Sequence, residues 1–246
     1  MMILDIDAGN SRLKFRLMDS ALVMESQEIT YGQSETALFE SLEDRIKGYQ
    51  IERVRVASVR DASFNSAFAE SVKAAWQIEP EFARVEQTSS CVSNSYKDIQ
   101  TMGVDRWLAM LAAYNNARSA CCVLDCGSAI TFDWIDYEGQ HQGGFIVPGI
   151  NLMQESLASK TAALATKLEH WENTVPGIST DTAISQGILA MVTGFARHCR
   201  EHVEQTASQC HWFLTGGDAE RIGRQLDWDH EIKKDLVLDG LGLSLP

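Results

Sequence analysis

An aspartate, a glycine-asparagine pair, a hydroxyl and a lysine stand close together in the stretch DAGNSRLKF near the start of the sequence. Gly9 and Asn10 are sufficient for a tight turn between two strands. The carboxylate of Asp7 suits a magnesium ion, while the Ser11 hydroxyl and the turn amides suit phosphate oxygens. Lys14 would add a positive charge. The stretch therefore predicts a phosphate-binding turn, and the alternative is an Asx-type turn at a hairpin tip.

A second stretch, CCVLDCGSAITFDWID, repeats the arrangement of strand, aspartate and glycine turn. Asp125 ends an apolar run, and Ser128 supplies the hydroxyl. We call residues 7–11 the first DxG turn and residues 125–128 the second DxG turn. Their aspartates are 118 residues apart, close to half of the 246-residue chain. This spacing predicts duplication into two similar α/β domains whose turns face each other as a phosphate clamp, and coincidence is the alternative.

Hydrophobic periodicity predicts the elements that position these turns. Strict alternation over residues 12–18 predicts a half-buried strand, with Leu13 on the covered face and basic residues on the other. Further strands are predicted at 54–59 and 212–215, and helices at 63–77, 105–118 and 181–205. The domains are predicted to be residues 1–118 and 119–246.

The segment MGVDRW places an acid and a base at the start of a predicted helix. Asp105 is expected at the N-cap, where the helix dipole keeps a carboxylate ionised and able to accept a proton. Arg106 can bind a substrate carboxylate through two parallel hydrogen bonds. The alternatives are a plain helix cap and a solvated helix charge.

Composition limits the classes of function. The formal net charge of −13 argues against a nucleic-acid surface that neutralises phosphates, so an anionic ligand must be captured locally. Asp5 and Asp7 interrupt the first apolar run, and no 18 apolar residues run together, so neither a secretory signal nor a membrane span is expected. We therefore expect a cytoplasmic protein with no nucleic-acid or membrane partner.

The cysteines and histidines do not indicate a metal site. Six cysteines occur without a CxxC pair and are interpreted as reduced structural thiols. His198, His202 and Cys210 lie close together in HCREHVEQTASQCH, but the chain offers no second ligand pair with zinc spacing.

Taken in order, DAGNS, MGVDRW, DCGSAITFD and GGFIVPG resemble the type III pantothenate kinases. These enzymes belong to the acetate kinase, sugar kinase, Hsp70 and actin superfamily, and the similarity continues through STDTAISQG and TGGDA to LVLDGL. The resemblance implies two actin-like (ribonuclease H-like) domains, each a mixed sheet flanked by helices. It also implies a cytoplasmic homodimer that phosphorylates pantothenate with ATP, the first step to coenzyme A, using magnesium and potassium or ammonium.

The resemblance also implies roles for individual residues. The ATP phosphate loop falls on Asp7, Ala8, Gly9, Asn10, Ser11, Arg12, Leu13 and Lys14, with Ser128 as the second nucleotide hydroxyl. The catalytic base falls on Asp105, and the substrate-binding residues on Tyr96, Gly103, Val104, Arg106 and Thr180. Asp125 matches the aspartate of the monovalent cation.

Three positions depart from the family pattern. Serine replaces the frequent threonine at Ser11 and Ser128 and keeps the hydroxyl, whereas Ile99 stands where proline is frequent. Thr182 lies so close to Thr180 that either threonine could contact the substrate. Two other functions stay open: an actin-like nucleotide-binding regulator, and a kinase or phosphatase of the same superfamily that acts on another small molecule.

Overall fold

The structure is a computed structural model that describes residues 1–20, 22–31, 35–160, 174–207 and 209–246. The chain divides into two compact units, the first comprising Met1–Ala112 with Asp235–Pro246 and the second comprising Ala113–Lys234. The closing segment is therefore grouped with the first unit, whereas the sequence-based division places it in the second domain. The division at residue 118 stays a prediction about domains.

The elements follow one another along the chain in two similar series. The strands are β1 (Met2–Ala8), β2 (Arg12–Asp19), β3 (Leu22–Thr30), β4 (Arg53–Ser58), β5 (Glu81–Phe82), β6 (Thr88–Ser89), β7 (Val92–Ser93), β8 (Cys121–Cys126), β9 (Ala129–Ile135), β10 (His141–Pro148), β11 (His211–Thr215) and β12 (Glu231–Ile232). The helices are α1 (Glu35–Arg45), α2 (Ala62–Trp76), α3 (Val104–Ala117), α4 (Ile150–Lys160), α5 (Thr180–Glu204), α6 (Ala219–Gly223) and α7 (Leu236–Ser244), with a short 3-10 turn at Ile99–Thr101.

Each unit contains a five-stranded mixed sheet, and the two sheets have the same strand order. The first sheet runs β3-β2-β1-β4-β5 and the second runs β10-β9-β8-β11-β12. In both, a three-stranded antiparallel meander is extended by two parallel strands. The two DxG turns thus follow equivalent strands, β1 and β8. This equivalence confirms the prediction of two similar α/β units, each with a mixed sheet flanked by helices.

The core of the first unit lies between its sheet and helices α1 and α2. Leu13, Phe15 and Leu17 alternate along β2 and are fully buried, as the pattern predicts. Apolar side chains of α1 and α2 pack against this face, among them Leu42 and Phe68. Asp61 caps α2 by accepting a hydrogen bond from the Phe64 amide.

The opposite face of β2 departs from the expectation of a half-buried strand at Arg16, whereas Arg12 is exposed and Lys14 is half-buried. Arg16 is only 4% exposed, because α7 covers this face of the sheet. Its guanidinium donates to the Leu238 carbonyl at 2.7 Å and lies 2.5 Å from the Asp239 carboxylate. The covering helix is more than 200 residues further along the chain, so local alternation could not reveal it.

A buried ion network joins three strands of the first sheet. Asp5 is fully buried on β1, directly opposite Arg16 on β2 and Arg55 on β4. Arg55 donates to both carboxylate oxygens, at 2.7 and 3.0 Å, and Arg16 donates at 3.1 Å. Arg55 also donates to the Leu245 carbonyl at 2.7 Å, which ties the closing segment to the sheet. Removal of one partner from such a network leaves buried charge uncompensated.

The second unit has its core around β8, β9 and β11, covered by α5. A capping box begins α5, in which the side chains of Ser179 and Thr182 bond to each other's backbone amides.

All six cysteines are free thiols, and four are buried, whereas Cys91 is exposed. Burial raises the pKa of the Cys199 thiol to about 12. In the described ranges, no helix has the length and apolar character needed to cross a membrane.

We predict that Asp5→Asn lowers the free energy of unfolding by about 3 kcal/mol, because two buried guanidinium groups then lose a charged acceptor. Urea unfolding followed by circular dichroism measures the change. Asp19→Asn is the control, since Asp19 is exposed and pairs at the surface with the N-terminal amine at 3.4 Å, a contact worth under about 1 kcal/mol. Equal stability of the two variants would contradict the role of the network.

Candidate active site

The first DxG turn closes between β1 and β2. The Gly9 amide donates to the Arg12 carbonyl at 3.1 Å, and the Asn10 and Ser11 side chains are exposed. Asp7 is half-buried at the end of β1, opposite Lys14 in the strand register. The structure therefore brings together the carboxylate, the hydroxyl and the turn amides that the sequence places here, since all belong to one hairpin.

Lys14 has a partner that sequence analysis missed. Its ammonium lies 3.3 Å from the carboxylate of Asp235, the residue before α7. The same carboxylate accepts a hydrogen bond from Ser26 on β3. No local pattern links positions this far apart, so only the fold reveals that Lys14 is held by an acid.

Two further residues outside the predicted set contact the first DxG turn. The Tyr31 hydroxyl donates to the Gly9 carbonyl at 2.8 Å, and Arg60 donates to the Asn10 carbonyl at 3.4 Å. Burial raises the pKa of Tyr31 to about 12, with Arg60 lowering it and Asp7 raising it. The phenol is therefore neutral over the physiological range and keeps its proton for this hydrogen bond.

The Asp105 side chain lies in the first turn of α3 but not at its N-cap, which corrects the sequence-based expectation. Gly103 takes the cap position, because its carbonyl accepts the first helical bond from the Trp107 amide at 3.2 Å. The Asp105 carboxylate is half-buried and accepts from the Arg106 amide at 2.8 Å. A side chain at position 103 would collide with this carboxylate. A larger residue there would therefore require the Asp105 carboxylate to shift.

Arg106 and Tyr96 lie together, although ten residues separate them. Arg106 is 6% exposed, and its guanidinium donates to the Tyr96 hydroxyl at 2.7 Å. The guanidinium carbon also lies 5.5 Å from the Tyr96 ring centroid, within cation–π range. Arg106 is thus not a solvated helix charge. Buried Asn94, a residue that sequence analysis missed, accepts from the Tyr96 amide at 2.9 Å and fixes the loop.

The second DxG turn is packed by other glycine turns of its own unit. Asp125 is half-buried on β8, between Thr131 of β9 and Thr215 of β11 in the strand register. Gly216 has a φ of +87° and lies so close that a side chain there would collide with the Asp125 carboxylate. The Gly149 amide donates to the carbonyl of Ser128 at 3.0 Å, and the Ser128 side chain is exposed.

The two threonines at the start of α5 differ in their contacts. Thr182 is engaged in the capping box, where its hydroxyl accepts from the Ser179 amide at 3.0 Å. Thr180 is the first residue of the helix and is exposed. Thr180 is therefore the better candidate for a ligand contact.

The described residues contain no group of three or more histidine, cysteine, aspartate or glutamate side chains that could hold a metal ion. His198, His202 and Cys210, which lie close together in the sequence, form no such group either. Any cation near Asp7 or Asp125 would therefore need ligands beyond these side chains, such as water, carbonyl groups or phosphate oxygens.

Two units with one strand order, each opening on a DxG turn, define an actin-like protein. Solved structures agree on the fold. A conserved Campylobacter jejuni protein named for the Baf family of transcriptional activators matches with a TM-score of 0.62 and 20% identity, over 97% of this chain and 95% of that one. The activator of 2-hydroxyisocaproyl-CoA dehydratase from Clostridium difficile, with bound ADPNP, matches with a TM-score of 0.56 and 12% identity, over 100% and 93%.

Sequence comparison defines the family within this class. The family model for type III pantothenate kinase matches residues 3–202. The type III pantothenate kinase of Ectopseudomonas mendocina is 34% identical over 255 aligned positions, which span 100% of this chain and 99% of that protein. The chain belongs to the type III pantothenate kinases, ATP-dependent enzymes of coenzyme A biosynthesis. The resemblance seen in the sequence motifs is thereby confirmed.

Proposed function

We propose that the chain transfers the γ-phosphoryl group of ATP to the primary hydroxyl of pantothenate, with Asp105 as the general base. One observation carries this assignment of roles: Asp105 and Arg106 stand together in the first turn of α3, with Arg106 held against Tyr96. A nucleotide-binding regulator would have no use for a carboxylate beside a buried cation. The arrangement therefore favours an enzyme over the regulator that the actin-like fold also allows.

Asp105 has the environment that a proton acceptor in this reaction needs. The helix N-terminus and the Arg106 amide both favour the ionised carboxylate. As the pantothenate oxygen bonds to the γ-phosphorus, its proton passes to Asp105, and the bond from the γ-phosphorus to the bridging oxygen breaks to release ADP. Because the transition state of such a transfer is loose, positioning contributes more than base strength.

Arg106 is the proposed partner of the pantothenate carboxylate. A guanidinium presents its five N–H donors in a planar fork that matches the two oxygens of a carboxylate, and one of these donors contacts the Tyr96 hydroxyl. Because Arg106 is buried and its guanidinium lies over the Tyr96 ring, an ion pair there would be stronger than one at the surface. Tyr96 would hold the planar group in one orientation, and Gly103, Val104 and Thr180 complete the proposed substrate contacts.

The proposed phosphate contacts come from both DxG turns. The turn amides with Ser11 and Lys14 would bind phosphate oxygens in the first, and Ser128 would do so in the second. Asp7 would hold magnesium and Asp125 potassium or ammonium. Single half-buried carboxylates fit this role, because magnesium in kinases takes its other ligands from phosphates and water. When bound, these cations neutralise charge on the transferring phosphoryl group.

The assembly and location of the enzyme are also proposals. We propose a homodimer, which the family resemblance supports, as do the exposed apolar side chains of Leu152, Leu157 and Met191 on α4 and α5. The use of ATP supports a cytoplasmic location.

Asp105→Asn should lower pantothenate-dependent ADP release by a factor of roughly 100 or more, because the amide cannot accept the proton. A coupled assay with and without pantothenate measures this. Asp44→Asn, at an exposed position of α1, is the control and should keep full activity. Near-normal turnover of a folded Asp105→Asn enzyme would remove Asp105 from the role of base.

Arg106→Lys should raise the KM for pantothenate about 10-fold or more and leave the KM for ATP nearly unchanged, because lysine cannot form two parallel hydrogen bonds to a carboxylate. Steady-state kinetics with each substrate varied in turn measures both constants. Tyr96→Phe, which removes only the hydroxyl, should change the same constant in the same direction by a smaller factor. An equal rise in both constants would argue against this placement.

Activity should fall sharply when sodium replaces potassium at constant ionic strength, because the proposed site at Asp125 needs the larger cation. Asp125→Asn should make the remaining activity insensitive to this exchange. The assay is ADP release in matched sodium and potassium buffers, with magnesium held constant. Full activity of the unmodified enzyme in sodium alone would leave Asp125 with no cation role.

A further inference from the structure

Three successive carbonyl groups of the first DxG turn accept hydrogen bonds from residues outside the hairpin. The Tyr31 hydroxyl donates to Gly9 at 2.8 Å, Arg60 donates to Asn10 at 3.4 Å, and the Tyr31 amide donates to Ser11 at 3.4 Å. All of these residues belong to the first unit. Two side chains therefore fix the orientation of the peptide groups in this turn.

The orientation of a carbonyl also fixes the direction of the next amide. A trans peptide is planar, and its C=O and N–H bonds point in opposite directions. When Tyr31 holds the Gly9 carbonyl, the Asn10 amide points away from the phenol. When Arg60 holds the Asn10 carbonyl, the Ser11 amide points away from the guanidinium. Successive amides directed away from their supports form a cradle for an anion.

Arg60 itself is held firmly. Its guanidinium carbon lies 5.0 Å from the Tyr31 ring centroid and 4.8 Å from that of Phe64, so the cation contacts two aromatic rings. Its amide donates to the Ser58 hydroxyl at 3.2 Å, and its carbonyl accepts from Asn65 at 3.4 Å. This attachment of both backbone and side chain makes Arg60 part of a fixed support for the turn.

We propose that Tyr31 and Arg60 are positioning residues that direct the Asn10 and Ser11 amides toward the terminal phosphates of the nucleotide. Their contribution to binding therefore depends on how many phosphates the nucleotide carries. The proposal rests on the assignment of the first DxG turn as the ATP phosphate loop. Neither residue belongs to the loop itself, and no motif marks either of them.

Calorimetric titration with adenosine, ADP and ATP tests the proposal. Tyr31→Phe keeps the ring and removes the donor to Gly9, so ATP affinity should fall roughly 3- to 10-fold, the effect of one hydrogen bond, while adenosine affinity stays unchanged. Arg60→Gln should show the same selective loss. Arg60→Lys should recover part of it, because the ammonium keeps its charge over the two rings.

Arg84→Gln is the matched control, because it removes one arginine charge at an exposed position of the same unit. It should leave all three affinities unchanged. Thermal unfolding checks that each variant is folded. If Arg60→Gln does not fold, the ATP and adenosine affinities of Tyr31→Phe test the proposal.

Two results would overturn the proposal: unchanged ATP affinity in Tyr31→Phe, or an equal loss for adenosine and ATP, which would indicate general loosening of the unit. A different result would contradict the assignment of the first DxG turn as the ATP phosphate loop. If the unmodified protein binds adenosine as tightly as ATP, the first DxG turn is not a phosphate loop.

Discussion

The first unit depends on the buried ion network around the carboxylate of Asp5. It lies directly opposite Arg16 and Arg55 in the strand register, so one acid holds a guanidinium from each neighbouring strand. Both arginines also reach carbonyl groups of the closing segment, which covers this face of the sheet. Removing any one of these three groups would leave buried charge uncompensated, which is strongly destabilising. The network thereby fixes the position of β1, whose last two residues are Asp7, where the first DxG turn begins, and Ala8.

The fold could be predicted where its signals are local. Alternation along β2 identified the buried face of Leu13, Phe15 and Leu17, and the repeated DxG turn indicated two units before any strand order was known. The burial of Arg16 could not be predicted, because the segment that covers it is distant in the chain. Alternation reports which face is apolar, and it says nothing of what covers the other face.

The candidate site divides in the same way. Motifs found the acid and base of MGVDRW and both DxG turns, since these residues are neighbours in sequence. The expected N-cap at Asp105 was wrong by two residues, because a glycine carbonyl takes the first helical bond and needs no side chain to do so. Asn94, Asp235, Tyr31 and Arg60 were missed, because each acts on the site through a contact made only by the folded chain. Such residues carry no motif, and their types alone would suggest surface positions.

Individual contacts within the fold, and not the overall charge of the chain, place basic side chains at the candidate site. With a net charge of −13, the chain as a whole repels ATP and pantothenate, both of which are anions. The basic groups at the site are each attached to a particular partner: Arg106 to Tyr96, Arg60 to two rings, and Lys14 to Asp235. Attachment to aromatic rings or a phenol keeps a cation in place without neutralising it, whereas the carboxylate partner of Lys14 offsets part of its charge. Arg60 therefore stays charged beside the first DxG turn, and the amides of that turn gain importance because the ammonium of Lys14 is paired with the Asp235 carboxylate.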